Sequence, residues 1–131
     1  MNGLLLDTHV WCWYLAGSDR LSGEARSVIE KRPSECWLSS ISVWEAGMLI
    51  RKGRIRIETG FDAWLETAFA RLPLQSAPLT FEIAQRSLGI ELATRDPADT
   101  FLVATALVHD LVLVTSDRLL LDAPGVPTRH G

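Results

Sequence analysis

Short apolar runs that alternate with helical segments narrow the possible folds of this sequence more than any other feature. Residues 4–6 are three leucines followed by Asp7, residues 36–38 form a second apolar run, and residues 111–115 form a third. Runs of this length are typical of strands buried on both faces of a parallel sheet. Because helical patterns lie between them, we predict an α/β domain with a largely parallel sheet of four or five strands.

The predicted helices follow from apolar spacing and from start and stop residues. Thr8 is the expected N-cap of the first helix, and Ser40 or Ser42 is expected to open the third. The helices are predicted over residues 10–16, 22–32, from Ser40 or Ser42 to 52, 61–72, 80–90, 97–108 and 118–121. Short extended pieces are expected at residues 54–57 and 74–77 and near Val126.

Length and composition indicate one globular domain over residues 1–131. A content of 47% hydrophobic residues excludes a disordered chain, and this length can bury a genuine core. The net charge of −3 argues against a polybasic nucleic-acid binder, so any contact with nucleic acid must be local.

No secretion signal or membrane-spanning run is visible in the sequence, so we expect a cytoplasmic protein without a membrane partner. Asp7 and His9 interrupt the apolar N-terminal stretch, which lacks early basic residues. Cys12 and Cys36 lie within apolar segments without a CxxC or Cys/His zinc pattern. We therefore expect buried, reduced thiols.

Four carboxylates occupy positions where strands end or helices begin. Asp7 and Asp117 directly follow predicted strands, Glu45 lies early in the helix after the second strand, and Asp99 lies at a helix start. Sites in open α/β sheets form at the carboxyl ends of the strands. The positions therefore predict one cluster of acids at that edge of the sheet.

Each acid also has a structural explanation. Ser42 and Glu45 fit the S-x-x-E capping box, and Asp99 could complement a helix dipole. Asp7 and Asp117 could be turn or N-cap residues. Capping favours the same positions as catalysis, so position alone leaves both explanations open.

Clustered carboxylates repel one another, and a divalent cation resolves that repulsion. Carboxylate oxygens suit Mg²⁺ or Mn²⁺, which can activate water for phosphodiester hydrolysis. No GxSxG motif, no suitably placed Cys–His pair and no phosphate-cradling GxxxxGK[ST] motif offers another chemistry.

Four blocks of the sequence, residues 4–11, 39–46, 95–99 and 113–117, resemble the PIN-domain ribonucleases. They are most similar to the VapC-type toxins of bacterial and archaeal toxin–antitoxin pairs. The resemblance covers nearly the whole chain, in family order. It implies a three-layer α/β/α sandwich and a metal-dependent endoribonuclease. Related sequences often carry His near position 94 and Arg at position 100, where this chain has Thr94 and Thr100.

The resemblance places the catalytic quartet on Asp7, Glu45, Asp99 and Asp117. Asp7, Asp99 and Asp117 would be the ligands of Mg²⁺ (or Mn²⁺), directly or through water, and Glu45 would orient water or help to hold the metal. Three further positions are secondary candidates: the acid Asp96, with helix-start chemistry as its alternative, and the hydroxyls of Thr115 and Ser116.

Partners follow from the same resemblance: an RNA substrate, a cognate antitoxin protein and a second copy of the chain in a homodimer. The one basic cluster consists of Arg51, Lys52, Arg54 and Arg56. It is either a solvated helix end or a contact for RNA phosphates or an acidic antitoxin segment.

Two other functions fit parts of the pattern. One is a catalytically silent PIN-like binding module, against which the complete quartet argues. The other is a receiver-like signalling domain, which would need a lysine after a late strand; Lys31 and Lys52 both follow helical segments instead.

Overall fold

The protein is built around a five-stranded sheet. A computed structural model describes residues 2–92, 96–123 and 125–131. The strands are β1 (Leu4–Leu6), β2 (Cys36–Ser39), β3 (Gln75–Ala77), β4 (Val112–Thr115) and β5 (Thr128–His130). They lie in the order β3-β2-β1-β4-β5, and every neighbouring pair is parallel. The predicted α/β class with a parallel sheet is confirmed.

The helices begin at short polar residues. They are α1 (Thr8–Ala16), α2 (Gly23–Lys31), α3 (Ser40–Arg51), α4 (Phe61–Arg71), α5 (Phe81–Ser87), α6 (Pro97–His109) and α7 (Arg118–Leu121). At the starts of six of these helices, the side-chain oxygen of the N-cap residue accepts a backbone N–H of the first turn. These N-cap residues are Asp7, Ser22, Ser39, Thr80, Asp96 and Asp117. These caps satisfy N–H groups that lack a partner inside the helix. Across the described ranges, no helix has the length and apolarity needed to cross a membrane.

Side chains of the central strands enter two separate cores. Leu4 and Leu6 pack with α1, α2 and α4 on one face of the sheet. Leu5 and Leu113 pack with α6 and α7 on the other face. Successive residues of a strand point to opposite faces, so three leucines in a row require apolar cover on both sides. Helices on each face provide that cover and form the three-layer α/β/α arrangement.

Two predicted helix starts differ from the structure by one or a few residues. Asp7, not Thr8, is the N-cap of α1, and its carboxylate accepts the Thr8 N–H at 2.7 Å. Ser39, not Ser40 or Ser42, caps α3. In both cases the last polar residue of the strand connection is close enough to the first turn to accept its N–H groups.

Residues 54–57 were predicted as an extended piece but form no strand. Gly53, at φ +75°, turns the chain at the end of α3, and β3 pairs with β2 instead. The last strand is Thr128–His130 rather than a segment at Val126, because its pairing with β4 starts at Leu113 opposite Thr128. Helix α5 ends at Ser87, three residues before the predicted boundary.

The two cysteines are free and buried, which confirms the prediction of reduced thiols. Burial raises the pKa of the Cys12 thiol to about 12 and that of Cys36 to about 11. Both thiols are therefore protonated at neutral pH and pack as small apolar groups.

Candidate active site

The four predicted acids lie at the carboxyl edge of the sheet. Asp7 directly follows β1, and Asp117 lies two residues after β4. Glu45 lies in the second turn of α3, which begins where β2 ends. Asp99 is in the first turn of α6; because the end of α6 leads back into β4, its start lies at the same edge.

Asp7 is the most firmly held of these acids. Its side chain is buried, and its two oxygens accept hydrogen bonds from Thr8 N and Thr115 Oγ1, each at 2.7 Å. Burial raises the pKa of Asp7, and the charge of Asp117 raises it further. The two hydrogen bonds and the electrostatic interaction with His9 oppose that rise. Asp7 is thus a fixed carboxylate whose ionised form lacks solvation.

The pKa of Glu45 is raised by burial and by its acidic neighbours. Its Oε1 accepts a 2.6 Å hydrogen bond from the hydroxyl of Thr8. Burial raises its pKa to about 7, with the Thr8 hydrogen bond opposing the rise. Three further carboxylates, those of Asp96, Asp7 and Asp99, add to the rise. Asp96, a secondary candidate, therefore belongs to the same electrostatic cluster.

The capping explanations hold for three acids, although they do not exclude a role in the site. Asp7, Asp96 and Asp117 are N-caps of α1, α6 and α7. Their side chains accept backbone N–H groups at 2.7–3.0 Å. A cap uses one carboxylate oxygen, so the second oxygen can take part in other contacts, as that of Asp7 does.

Thr115 links two of the acids. Its hydroxyl is buried, donates to Asp7, and accepts the backbone N–H of Asp117 at 3.0 Å. Ser116, the other hydroxyl candidate, is half-buried between Thr115 and Asp117. Thr115, one of the two hydroxyl candidates, therefore binds a carboxylate of the site.

The hydroxyl of Thr8 that binds Glu45, and that of Ser42 beside it, were not predicted from the sequence. The capping-box interpretation of Ser42 and Glu45 is wrong, because α3 begins at Ser40 with Ser39 as its cap. Ser42 is fully buried instead, with its Oγ 2.8 Å from Thr8 Oγ1. The available signal was the spacing: residues three apart share a helix face, so Ser42 and Glu45 had to meet the same neighbour.

A groove of about 1010 Å³ lies between α1, α4 and the segment after α3. Its walls include Trp13 and Trp64, together with four arginines: Arg20, Arg54, Arg56 and Arg71. Two members of the predicted basic cluster thus line this groove. The other two, Arg51 and Lys52, are exposed at the end of α3 and are not among the residues that line it.

The donor chemistry of the acid cluster fits a hard divalent cation. Its members are carboxylates, and burial, with a smaller contribution from neighbouring acids, raises the pKa values of Asp7 and Glu45. Within residues 2–92, 96–123 and 125–131, no three acidic, histidine or cysteine side chains stand close enough to hold one ion together. Mg²⁺ commonly keeps several waters and binds through one or two carboxylates, so this spacing is compatible with it.

Comparison with known proteins places the chain in a family. The profile of the PIN domain family matches residues 4–126. The chain belongs to the PIN domain family. This PIN domain is 32% identical to Ribonuclease VapC22 of Mycobacterium tuberculosis over 121 residues, covering 92% of this chain and 91% of that protein. The resemblance predicted from the four sequence blocks is confirmed.

Solved structures share the fold of this PIN domain. A DNA-bound VapBC from Salmonella typhimurium has a TM-score of 0.71 at 18% identity, covering 99% of this chain and 98% of that chain. A toxin–antitoxin complex from Klebsiella pneumoniae has a TM-score of 0.68 at 24% identity, covering 95% of each chain. At these identities the likeness shows a common fold.

Proposed function

We propose that this PIN domain is a metal-dependent endoribonuclease and the toxin of a toxin–antitoxin pair. The observation that carries the proposal is the gathering of Asp7, Glu45, Asp99 and Asp117 at one edge of the sheet. The 32% identity to Ribonuclease VapC22 along 92% of the chain supports RNA as the substrate.

In this proposal Asp7, Asp99 and Asp117 hold Mg²⁺ or Mn²⁺, directly or through water. The cation, when bound, supplies an activated water and stabilises the leaving oxygen. Glu45, with a pKa of about 7, is suited to accept a proton from water near neutral pH. Thr115 keeps Asp7 in place, Ser116 remains a candidate to donate to a phosphate oxygen, and Asp96 adds negative charge.

The test of the enzyme is cleavage of mixed transfer, ribosomal and messenger RNA with Mg²⁺ or Mn²⁺. Asp7→Asn and Asp99→Asn should abolish cleavage while the circular dichroism spectrum stays unchanged. Asp62→Asn, an exposed acid on α4, is the matched control and should cleave at the parental rate. If both site variants cleaved normally, the site would be misassigned. If the parent neither cleaved RNA nor took up Mn²⁺, the silent binding module would replace the nuclease.

We further propose that the groove between α1 and α4 receives the antitoxin. Its tryptophans suit apolar side chains, and its four arginines suit acidic ones, so a short segment of both kinds would complement it. The relatives described as VapBC and as a toxin–antitoxin complex share this fold. The test is binding of the protein encoded beside this one. Arg54→Glu with Arg56→Glu should weaken the complex, whereas Arg51→Glu with Lys52→Glu should not; equal effects would exclude the groove.

We also propose a homodimer formed through α5. Phe81 and Leu88 are 94% and 89% exposed and lie seven positions apart, about two helical turns, so they share one side of α5 and its C-cap. Exposed apolar pairs of this kind mark interaction surfaces. Light scattering should give a dimer for the parent and a monomer for Phe81→Ser with Leu88→Ser. Leu119→Ser, which alters an exposed apolar residue on α7, is the control. A monomeric parent would exclude the homodimer.

A further inference from the structure

We propose that Thr8 is the positioning residue of Glu45, and that the buried hydroxyl of Ser42 directs the hydrogen of Thr8 to that carboxylate. This inference rests on the proposed nuclease function, in which Glu45 orients water. It assigns a role to two hydroxyls that neither capping nor the acidic quartet explains.

The three side chains form a continuous chain of hydrogen bonds between α1 and α3. Thr8 Oγ1 lies 2.6 Å from Glu45 Oε1 and 2.8 Å from Ser42 Oγ. Thr8 is 1% exposed and Ser42 is fully buried, so water does not compete at either hydroxyl. These contacts join residues 37 and 34 positions apart, so the fold creates them and local helix geometry does not.

The direction of the hydrogen bonds follows from counting hydrogens. A hydroxyl has one hydrogen, and an ionised carboxylate can only accept. When Glu45 is ionised, Thr8 gives its hydrogen to Oε1 and must accept at its own oxygen from another donor. The Ser42 hydroxyl, 2.8 Å away, is that donor. Without Ser42, the Thr8 hydroxyl would be free to rotate away from the carboxylate.

Thr8 also fixes the relation between two acids. Its backbone N–H donates to Asp7 Oδ1 at 2.7 Å, while its side chain donates to Glu45. One residue at the start of α1 therefore sets the positions of an acid on the strand connection and an acid on α3. Among the described residues, Thr8 Oγ1 is the hydrogen-bond partner of Glu45 Oε1.

A purely structural role for Thr8 makes a different prediction. Valine has nearly the shape of threonine, so packing alone would survive Thr8→Val, and serine keeps the hydroxyl while losing a methyl group. If Thr8 positions Glu45, Thr8→Val should reduce activity and Thr8→Ser should retain it. If Thr8 acts only through packing, Thr8→Ser should be the more damaging change. The test compares Thr8→Val, Thr8→Ser and Ser42→Ala, with Thr59→Val, an exposed threonine, as the matched control.

The first measurement is steady-state RNA cleavage with Mn²⁺. Thr8→Val should lower kcat about ten- to a hundredfold with little change in KM, as expected for loss of a hydrogen bond to a charged group. Thr8→Ser should keep kcat within about threefold of the parent, and Ser42→Ala should fall between them. Thr8→Val added to Glu45→Gln should cause no further loss, because the hydroxyl acts only through that carboxylate.

The second measurement needs neither metal nor activity. The side-chain carboxyl ¹³C resonance of Glu45 in the metal-free protein should shift in Thr8→Val and stay near its parental position in Thr8→Ser. An unshifted resonance in Thr8→Val would overturn the proposal, as would equal kcat values for Thr8→Val and the parent. A parent that does not cleave RNA would overturn the nuclease function, and the resonance would still decide whether Thr8 holds Glu45.

Discussion

The hydroxyl of Thr115 donates a 2.7 Å hydrogen bond to the carboxylate of Asp7, although 108 positions separate the two residues in the chain. The contact exists because β1 and β4 are parallel neighbours whose carboxyl ends meet at one edge. Since Thr115 also accepts the N–H of Asp117, it ties together the acids that follow the two strands.

Loss of the Thr115 hydroxyl should raise the pKa of Asp7 in the metal-free protein. Burial already raises this pKa, and the Thr115 hydrogen bond is the largest influence that opposes the rise. Carboxyl ¹³C titration should therefore place Asp7 of Thr115→Val at a higher pKa than in the parent. Thr115→Ser is the control and should leave the pKa close to the parental value. An unchanged pKa in the valine variant would show that the contact does not favour the ionised form.

The metal-free protein should lose stability as the pH rises from about 4.5 to about 7. The folded-state pKa of Glu45 is about 7, above the ordinary value of 4.5. Between these values the folded state binds more protons than the unfolded state, so the free energy of unfolding falls with rising pH. Allowing for screening by water at this half-exposed group, the loss is about 1–2 kcal/mol.

Urea unfolding at several pH values measures that loss. Glu45→Gln cannot ionise, so its stability should change less over the same range. A parent that instead gained stability up to pH 7 would contradict the raised pKa of Glu45.

Mn²⁺ or Mg²⁺ should stabilise the folded protein at pH 7.5. A cation at the carboxyl edge of the sheet offsets the charge of Asp7 and its neighbours and binds only the folded state. At a hundredfold excess over Kd, this adds about 2.7 kcal/mol to the free energy of unfolding. Thermal unfolding should show a higher Tm for the parent and for Asp62→Asn. The Tm of Asp7→Asn should respond little, and a response equal to that of the parent would place the cation elsewhere.

Replacement of Asp110 by glycine should stabilise the protein without affecting RNA cleavage. Asp110 ends α6 at φ +54°, a left-handed conformation that glycine adopts more easily, and its charge lies at the negative end of the helix. The expected gain is about 1 kcal/mol in urea unfolding. Asp122 ends α7 at φ −90°, so Asp122→Gly should give no such gain. Equal effects of both changes would show that backbone conformation is not the cause.

Local patterns predicted much of this fold. The predictions made from the leucines of β1, from the Pro97 helix start and from the seven helical patterns match the observed elements within a few residues. The positions of the four acids were predicted because strand ends and helix starts are readable from sequence, and the family resemblance assigned the quartet to them. The prediction of an extended piece at residues 54–57 was wrong because alternation of charged and apolar residues cannot show whether a strand has a neighbour to pair with. In the structure, β3 occupies the place beside β2.

The hydroxyl contacts of the site could not be predicted in the same way. Thr8, Ser42 and Glu45 meet only after α1 and α3 pack together, and hydroxyls suit caps and cores equally well. Ser42 was therefore assigned to a capping box, the nearest local explanation. Long-range geometry decided its partner.

Because β1 lies between β2 and β4, the cluster of acids can be completed only late in the synthesis of the chain. β1 and Asp7 emerge from the ribosome before β4, whose Thr115 and following Asp117 lie more than a hundred residues later in the chain. Until β4 pairs with β1, three acids lie on an incomplete sheet without the fourth. Under the proposed function, a chain that ends before β4 lacks Asp117 and should not cleave RNA, so only a longer chain would require an antitoxin.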